Sequence, residues 1–177
     1  PLGEDERLWY YVIVATAGHD TTSFALSGGF EQLLRHPDQL RAVQDDPSLA
    51  GAAAEEMIRW TSPVRSFMRW AQEDHELGGQ KLSAGEMVLL MYSSANRDER
   101  VFDEPQRFDV TRQHNNHIAF GLGTHFCLGA SLARTEIRSM IGQVLKRLPD
   151  WSLSDEAPPR YVPGAFVRGV EHYQLVF

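Results

Sequence analysis

One cysteine, Cys127, stands in a chain of 177 residues. A lone cysteine excludes a disulfide framework within the chain and fits a reducing cytoplasm. Basic charge is also scarce. Lys and Arg total 17 against 24 Asp and Glu, a net charge of -7. No basic surplus exists to neutralise phosphates, which argues against nucleic acid as a partner. Long apolar runs are missing too. The longest, "LWYYVIVATAG", falls short of the roughly 20 residues that span a bilayer. It has no basic leader and no small-residue cleavage site, so neither a membrane span nor a signal peptide is expected. There is no repeat and no low-complexity tract. The chain opens on Pro1, so its first residue need not be the start of the protein.

What is present suits one domain with a real core. Glu4 to His36 reads as one long helix. Acidic Glu4, Asp5 and Glu6 favour its N-terminus, and Pro37 ends it. Leu8, Val12, Ala15, Leu26, Phe30 and Leu33 recur at helical spacing. "HPDQLRAVQDDP" and "PSLAGAAAEEMIRW" read as two shorter helices. The period then changes. "SFMRWA" and "MVLLMYSS" read as strands, and "HELGGQKLSAGE" between them as hairpin and turn. "NRDERVFDEPQRFDVTRQHNN" is a polar surface connection. "ASLARTEIRSMIGQVLKRL" is a helix with Leu132, Ile137, Met140, Ile141, Val144, Leu145 and Leu148 on its stripe. Short, proline-interrupted strands close the chain. The expected fold class is mainly α with small β-sheets.

Three stretches carry chemistry. "ATAGHDTTS" sits inside the long helix, where Gly18 costs about 1 kcal/mol relative to Ala and Asp20, Thr21, Thr22 and Ser23 are poor interior residues. Either the helix begins here with a hydroxyl as N-cap, or it opens locally at Ala17–Gly18 so that an acid and an alcohol relay protons. "EEMIRW" puts Glu56 and Arg59 at i, i+3, and Glu55 and Arg59 at i, i+4, both within pairing reach on a helix. Arg65, Arg69 and Arg107 are solvated cations or, together, binders of anionic cofactor groups. "FGLGTHFCLG" surrounds Cys127 with Gly121, Gly123 and Gly129. Such glycines permit positive φ and close approach, and a following helix favours a thiolate. The arrangement suits a thiolate on a metal approached over a flat face. A buried structural thiol and a zinc site of His114, His117, His125 and Cys127 are the alternatives. The H-x2-H-x7-H-x-C spacing matches no usual zinc framework.

"FGLGTHFCLG" resembles the haem-binding signature F-G-x-G-x-H-x-C-x-G of the cytochrome P450 family, with every fixed position filled. "AGHDTT" resembles the family's A-G-x-[DE]-T-T, "EMIR" its E-x-x-R, and "FDEPQRF" the segment supplying a second arginine to that cluster. All four occur in the family's order. "SGGFEQLL" and "RWTSPVRSFMRWA" look most like soluble bacterial members that hydroxylate terpenes or sterols.

The resemblance implies haem b with Cys127 as axial thiolate. Phe120 would shield the sulfur, and Gly121 and Gly123 would let the backbone approach the cofactor. His125 and Arg69 would bind its propionates. Ala17 and Gly18 would line an opened helix, where Thr21 and Asp20 deliver protons to dioxygen. Glu56, Arg59 and Arg107 would form a structural charge cluster. The reaction implied is hydroxylation of a small apolar substrate (a terpenoid, steroid or aromatic hydrocarbon) with dioxygen and two electrons, supplied by a ferredoxin and its reductase or by a flavin reductase. Arg134, Arg138, Lys146 and Arg147 would help dock that partner. Residues 1–177 are expected to be the haem-ligating C-terminal half of such a fold, without the family's N-terminal half, in a cytoplasmic protein. A catalytically incompetent haem-binding fragment is the second reading, and a zinc-binding structural module the third.

Overall fold

In the computed structural model, which describes residues 2–177, the long helix is continuous: α1 runs Glu4–Arg35. His36 caps it, its amide donating to the Gln32 and Leu33 carbonyls, and α2 (Pro37–Asp45) follows at once. A 3-10 turn over Pro47–Leu49 leads into α3 (Ala50–Thr61). Then come β1 (Ser66–Trp70), β2 (His75–Leu77), β3 (Gln80–Leu82) and β4 (Met87–Met91). A single helical turn, α4 (Tyr92–Ala95), opens the long connection to α5 (Ala130–Arg147). The tail holds β5 (Ser152–Leu153), β6 (Arg160–Tyr161), β7 (Val170–His172) and β8 (Leu175–Val176).

The strands form four antiparallel pairs: β1 with β4, β2 with β3, β5 with β8, and β6 with β7. The β2–β3 hairpin turns on Gly78 and Gly79, with φ of 57° and 81°. Two successive positive φ angles are what a type I′ turn requires. The strand expected over "MVLLMYSS" stops at Met91. Tyr92 and Ser93 are buried, and the chain coils there instead of extending.

The core lies where α1, α3 and α5 meet. Phe30 and Leu33 of α1, Ala53, Met57 and Ile58 of α3, and Ile137 and Ile141 of α5 are buried together with Phe108 and Val110 of the long connection. Only part of the expected stripes is used. Leu8 and Val12 are exposed, and the first buried residue of α1 is Ala25. On α5, Leu132 and Met140 face outward.

Gly28 and Gly29 explain themselves in this core. A Cβ on Gly28 would lie 2.8 Å from Thr61 Cγ2, and one on Gly29 would run into the Met57 side chain. Both glycines let α1 and α3 approach closely, and that contact offsets their helix-propensity cost. Gly29→Ala is therefore expected to lower stability in urea unfolding by about 1–3 kcal/mol, as overpacking does. Gly18→Ala, whose Cβ would meet nothing within 4 Å, is expected to raise stability by up to about 1 kcal/mol.

Two buried polar contacts shape the rest. Ser62 ends α3 in the left-handed region at φ 38°. It is held there by its own hydroxyl on the Arg59 carbonyl and by the Asn96 amide on that hydroxyl. This turn aims the chain through Pro63 into β1. Glu31, 1% exposed, accepts hydrogen bonds from Arg35 Nε at 2.8 Å and from Tyr161 Oη at 2.6 Å. The second bond ties the β6–β7 pair to α1. Burial first, and then the bond to Glu31, push the Tyr161 hydroxyl up to about 12.

Candidate active site

The loop before α5 is built by its glycines. Gly121 and Gly123 sit at φ 72° and 69°, a region that side chains rarely enter. At Gly121 a Cβ would also press on Tyr92 Oη at 3.4 Å. The turn is closed by the Gly121 amide on the Ile118 carbonyl and the Cys127 amide on the Phe120 carbonyl, both 2.9 Å. His125 lies in a 3-10 turn, Gly123–His125. Cys127 is free and exposed, three residues before α5. Its sequence neighbours Leu122, Phe126 and Leu128 are exposed apolar side chains.

This donor set fits haem. A single soft sulfur ligand at the tip of a tight turn, among bare apolar side chains, suits an iron carried in a broad apolar disc. It does not fit zinc. No group of three His, Cys, Asp or Glu side chains converges among the described residues, and His117 is engaged elsewhere, its Nε2 3.1 Å from Glu55.

Beside the loop lies a second set of contacts. Glu55 binds Arg134 through two bonds, Nε to Oε1 at 2.7 Å and Nη2 to Oε2 at 3.0 Å. The Arg134 guanidinium sits 4.7 Å over the Phe120 ring, and His117 packs on the same ring at 5.8 Å. So Glu55 does not pair with Arg59, as its i, i+4 spacing allows, but with partners from two other segments. Arg134 is likewise no free docking cation.

Burial alone would push the Glu55 carboxyl up, but its bonds to His117 and Arg134 outweigh that and hold it at about 2. A carboxyl depressed from its ordinary 4.5 contributes stability that is complete above about pH 4.5 and is lost as pH falls toward 2. Wild-type unfolding free energy should therefore drop over that window. Glu55→Gln should be less stable at pH 7 and show a shallower drop between pH 4.5 and 2.

Behind this, Glu56 and Arg59 are both fully buried and paired through two 2.7 Å bonds. Arg59 also donates to the backbone carbonyls of Asn96, Pro105 and Arg107. Glu56 further accepts from Asp109 N at 2.9 Å, Asn115 Nδ2 at 3.0 Å and Arg112 Nε at 3.3 Å. The second arginine of the cluster is thus Arg112, not Arg107. Arg107 turns its carbonyl inward, so its side chain points out, to an exposed pair with Glu104 at 2.9 Å. Spacing could not separate two arginines five residues apart on one irregular connection. Asn96 was also missed. It is wholly buried, and its side chain bonds Ser62 Oγ and the Ile118 amide.

The long helix is neither started nor opened at "ATAGHDTTS". Thr21 Oγ1 donates to the Ala17 carbonyl at 2.7 Å, a fourth-residue back-bond inside a continuous helix. Among the described residues, the Asp20 carboxylate pairs with His19 alone, 2.8 Å away, and both are exposed. Arg69 lies on β1 and donates to the Met68 carbonyl at 2.9 Å. Among the described residues no hydrogen bond or ion pair joins it to His125.

Comparison with known proteins agrees with this geometry. The family model described as cytochrome P450 matches residues 5–177. A steroid C26-monooxygenase of Mycolicibacterium smegmatis is 48% identical over 176 residues, 99% of this chain and 44% of the relative. Cytochrome P450-terp of a Pseudomonas species is 45% identical over 168 residues, 95% of this chain and 39% of the relative. Among solved structures, CYP109E1 of Bacillus megaterium in complex with corticosterone superposes with a TM-score of 0.94 at 33% identity, covering 98% of this chain and 47% of that one. CYP268A2 of Mycobacterium marinum in complex with pseudoionone gives 0.93 at 41%, covering 99% and 42%. The chain spans less than half the length of these relatives. No described helix is long and apolar enough to cross a membrane. With the glycine-built cysteine turn, the buried Glu56–Arg59 pair and a family match over nearly all its length, this chain belongs to the cytochrome P450 family.

Proposed function

We propose that this chain is the haem-ligating C-terminal portion, residues 1–177, of a monooxygenase that hydroxylates a small apolar substrate of the steroid or terpenoid class. The observation that carries the reading is the exposed Cys127 on its turn of positive-φ glycines. The cofactor would be haem b, a reading supported by the cytochrome P450 family match. Bound haem would supply the reductive activation of dioxygen that puts one oxygen atom into a substrate C–H bond and the other into water. The residues hold and supply that chemistry. Cys127 ligates and Phe120 covers the sulfur. Gly121 and Gly123 let the backbone lie close, and His125 and Arg69 take the propionates. Ala17 and Gly18 present a helix face without bulk. Thr21 holds a proton-bearing hydroxyl there, and Asp20, exposed beside it, exchanges protons with solvent.

The substrate class is supported by the names of the relatives and by exposed apolar Val12, Phe67 and Phe166. The place of work is the cytoplasm, in keeping with a free, exposed cysteine. Electrons would come from an acidic ferredoxin-like protein docking on the exposed cations of α5, Arg138, Lys146 and Arg147. Charge reversal, Arg138→Glu, is expected to slow reduction several-fold at low salt and little at high salt. Equal rates at every ionic strength would remove Arg138 from the docking face.

The function itself is tested with isotopic dioxygen. The full-length protein carrying this sequence, given haem, a reductase system and a steroid or terpene, should yield product with one labelled oxygen atom. Haem uptake without labelled product would favour a binding protein without turnover. Thr21→Ala should keep haem and substrate binding and lower product formed per electron consumed, with the balance appearing as peroxide.

A further inference from the structure

We propose that Glu55 is a positioning residue for the cysteine ligand, clamping the Arg134 guanidinium on the Phe120 face and so fixing a positive charge beside Cys127. It rests on the reading of Cys127 as ligand for its consequence, though not for its test. Three independent contacts converge. Two bonds from Glu55 orient the guanidinium plane, as a carboxylate fork does. The Phe120 ring carries that guanidinium at 4.7 Å and is steadied by His117 and by Phe126, 6.3 Å away. The Phe120 carbonyl takes the Cys127 amide at 2.9 Å, so moving the ring's residue moves the sulfur. Arg134 thus stacks on the very residue whose carbonyl holds the Cys127 amide.

The pair contributes stability, part of it screened by solvent because Arg134 is 40% exposed, but stability alone does not call for a ring beneath the guanidinium. Its two-bond geometry and the stacked ring are wanted for orientation. A cation held beside a thiolate draws electron density from it. The Glu55–Arg134 pair therefore sets how strongly Cys127 donates to a bound metal, as outer contacts do at other metal sites.

The test needs no cofactor, because alkylation is read by mass on the peptide that carries Cys127, the sole cysteine of these 177 residues. The chain is alkylated with iodoacetate and with iodoacetamide at one pH. Both reagents consume the same thiolate, so its population and accessibility cancel in the rate ratio, which then reports the local field on the anionic reagent. Arg134→Gln should lower the ratio about twofold, the effect of one partly screened charge at close range. Glu55→Asp keeps the charge but shortens the reach, and should lower the ratio to nearly the same value. Arg134→Lys, which loses the fork, should fall between. Arg138→Gln, one turn further along α5, should leave it unchanged. If Glu55→Asp and Arg134→Lys keep the wild-type ratio, position does not matter and the proposal fails. If Arg134→Gln also keeps it, no charge acts on the sulfur. Either failure leaves the haem-ligand reading intact, since that reading falls only with the spectrum of the loaded protein.

Discussion

Glu56→Gln is expected to lower the unfolding free energy by about 3–5 kcal/mol. The side chain is isosteric, so no cavity is created. What is lost is the charge that compensates Arg59, which is 0% exposed and has no other carboxylate among its partners. Breaking one side of a buried pair costs about 3–5 kcal/mol, against a total stability of roughly 5–15 kcal/mol for a domain. Glu56 also gathers Asp109, Arg112 and Asn115, so the long connection before the cysteine turn should loosen with it. Circular dichroism and urea unfolding read this directly. The control is the double replacement Glu56→Leu with Arg59→Leu. It removes both charges and should be less damaging than Glu56→Gln alone. If the single variant unfolds at the wild-type urea midpoint, the cluster is not the support of the fold that its burial suggests.

Cys127→Ala is expected to act in the opposite way, with chemistry abolished and the fold preserved. The thiol is exposed and makes no side-chain hydrogen bond among the described residues, so its removal should change stability by well under 1 kcal/mol. The carbon monoxide complex of the reduced, haem-loaded wild type should show the strongly red-shifted Soret band of thiolate ligation. The variant should lack that band. A variant that keeps it would show that sulfur does not ligate, and the proposed function would fall with it.

Much of this was legible in the chain. A complete ten-residue pattern around the only cysteine pointed to haem, because ligand, glycines and helix start are all local. The long helix, the β2–β3 hairpin and α5 follow from period, capping and turn residues, which are also local. The i, i+3 pair Glu56–Arg59 was readable because a helix fixes that distance.

What the sequence could not order were contacts between segments far apart in the chain. Arg107 and Arg112 are equally polar and lie on one irregular connection, and only packing decides which turns inward. Spacing offers Glu55 only Arg59. Its partners, 62 and 79 residues away, are chosen by how α3 and α5 cross. Gly28 and Gly29 cost helix propensity locally, and only Thr61 and Met57 of α3, pressed against them, account for their place in α1. Local patterns are set by bond geometry and propensity, which each residue carries with it. Pairing across the core depends on which surfaces meet, and no single residue records that.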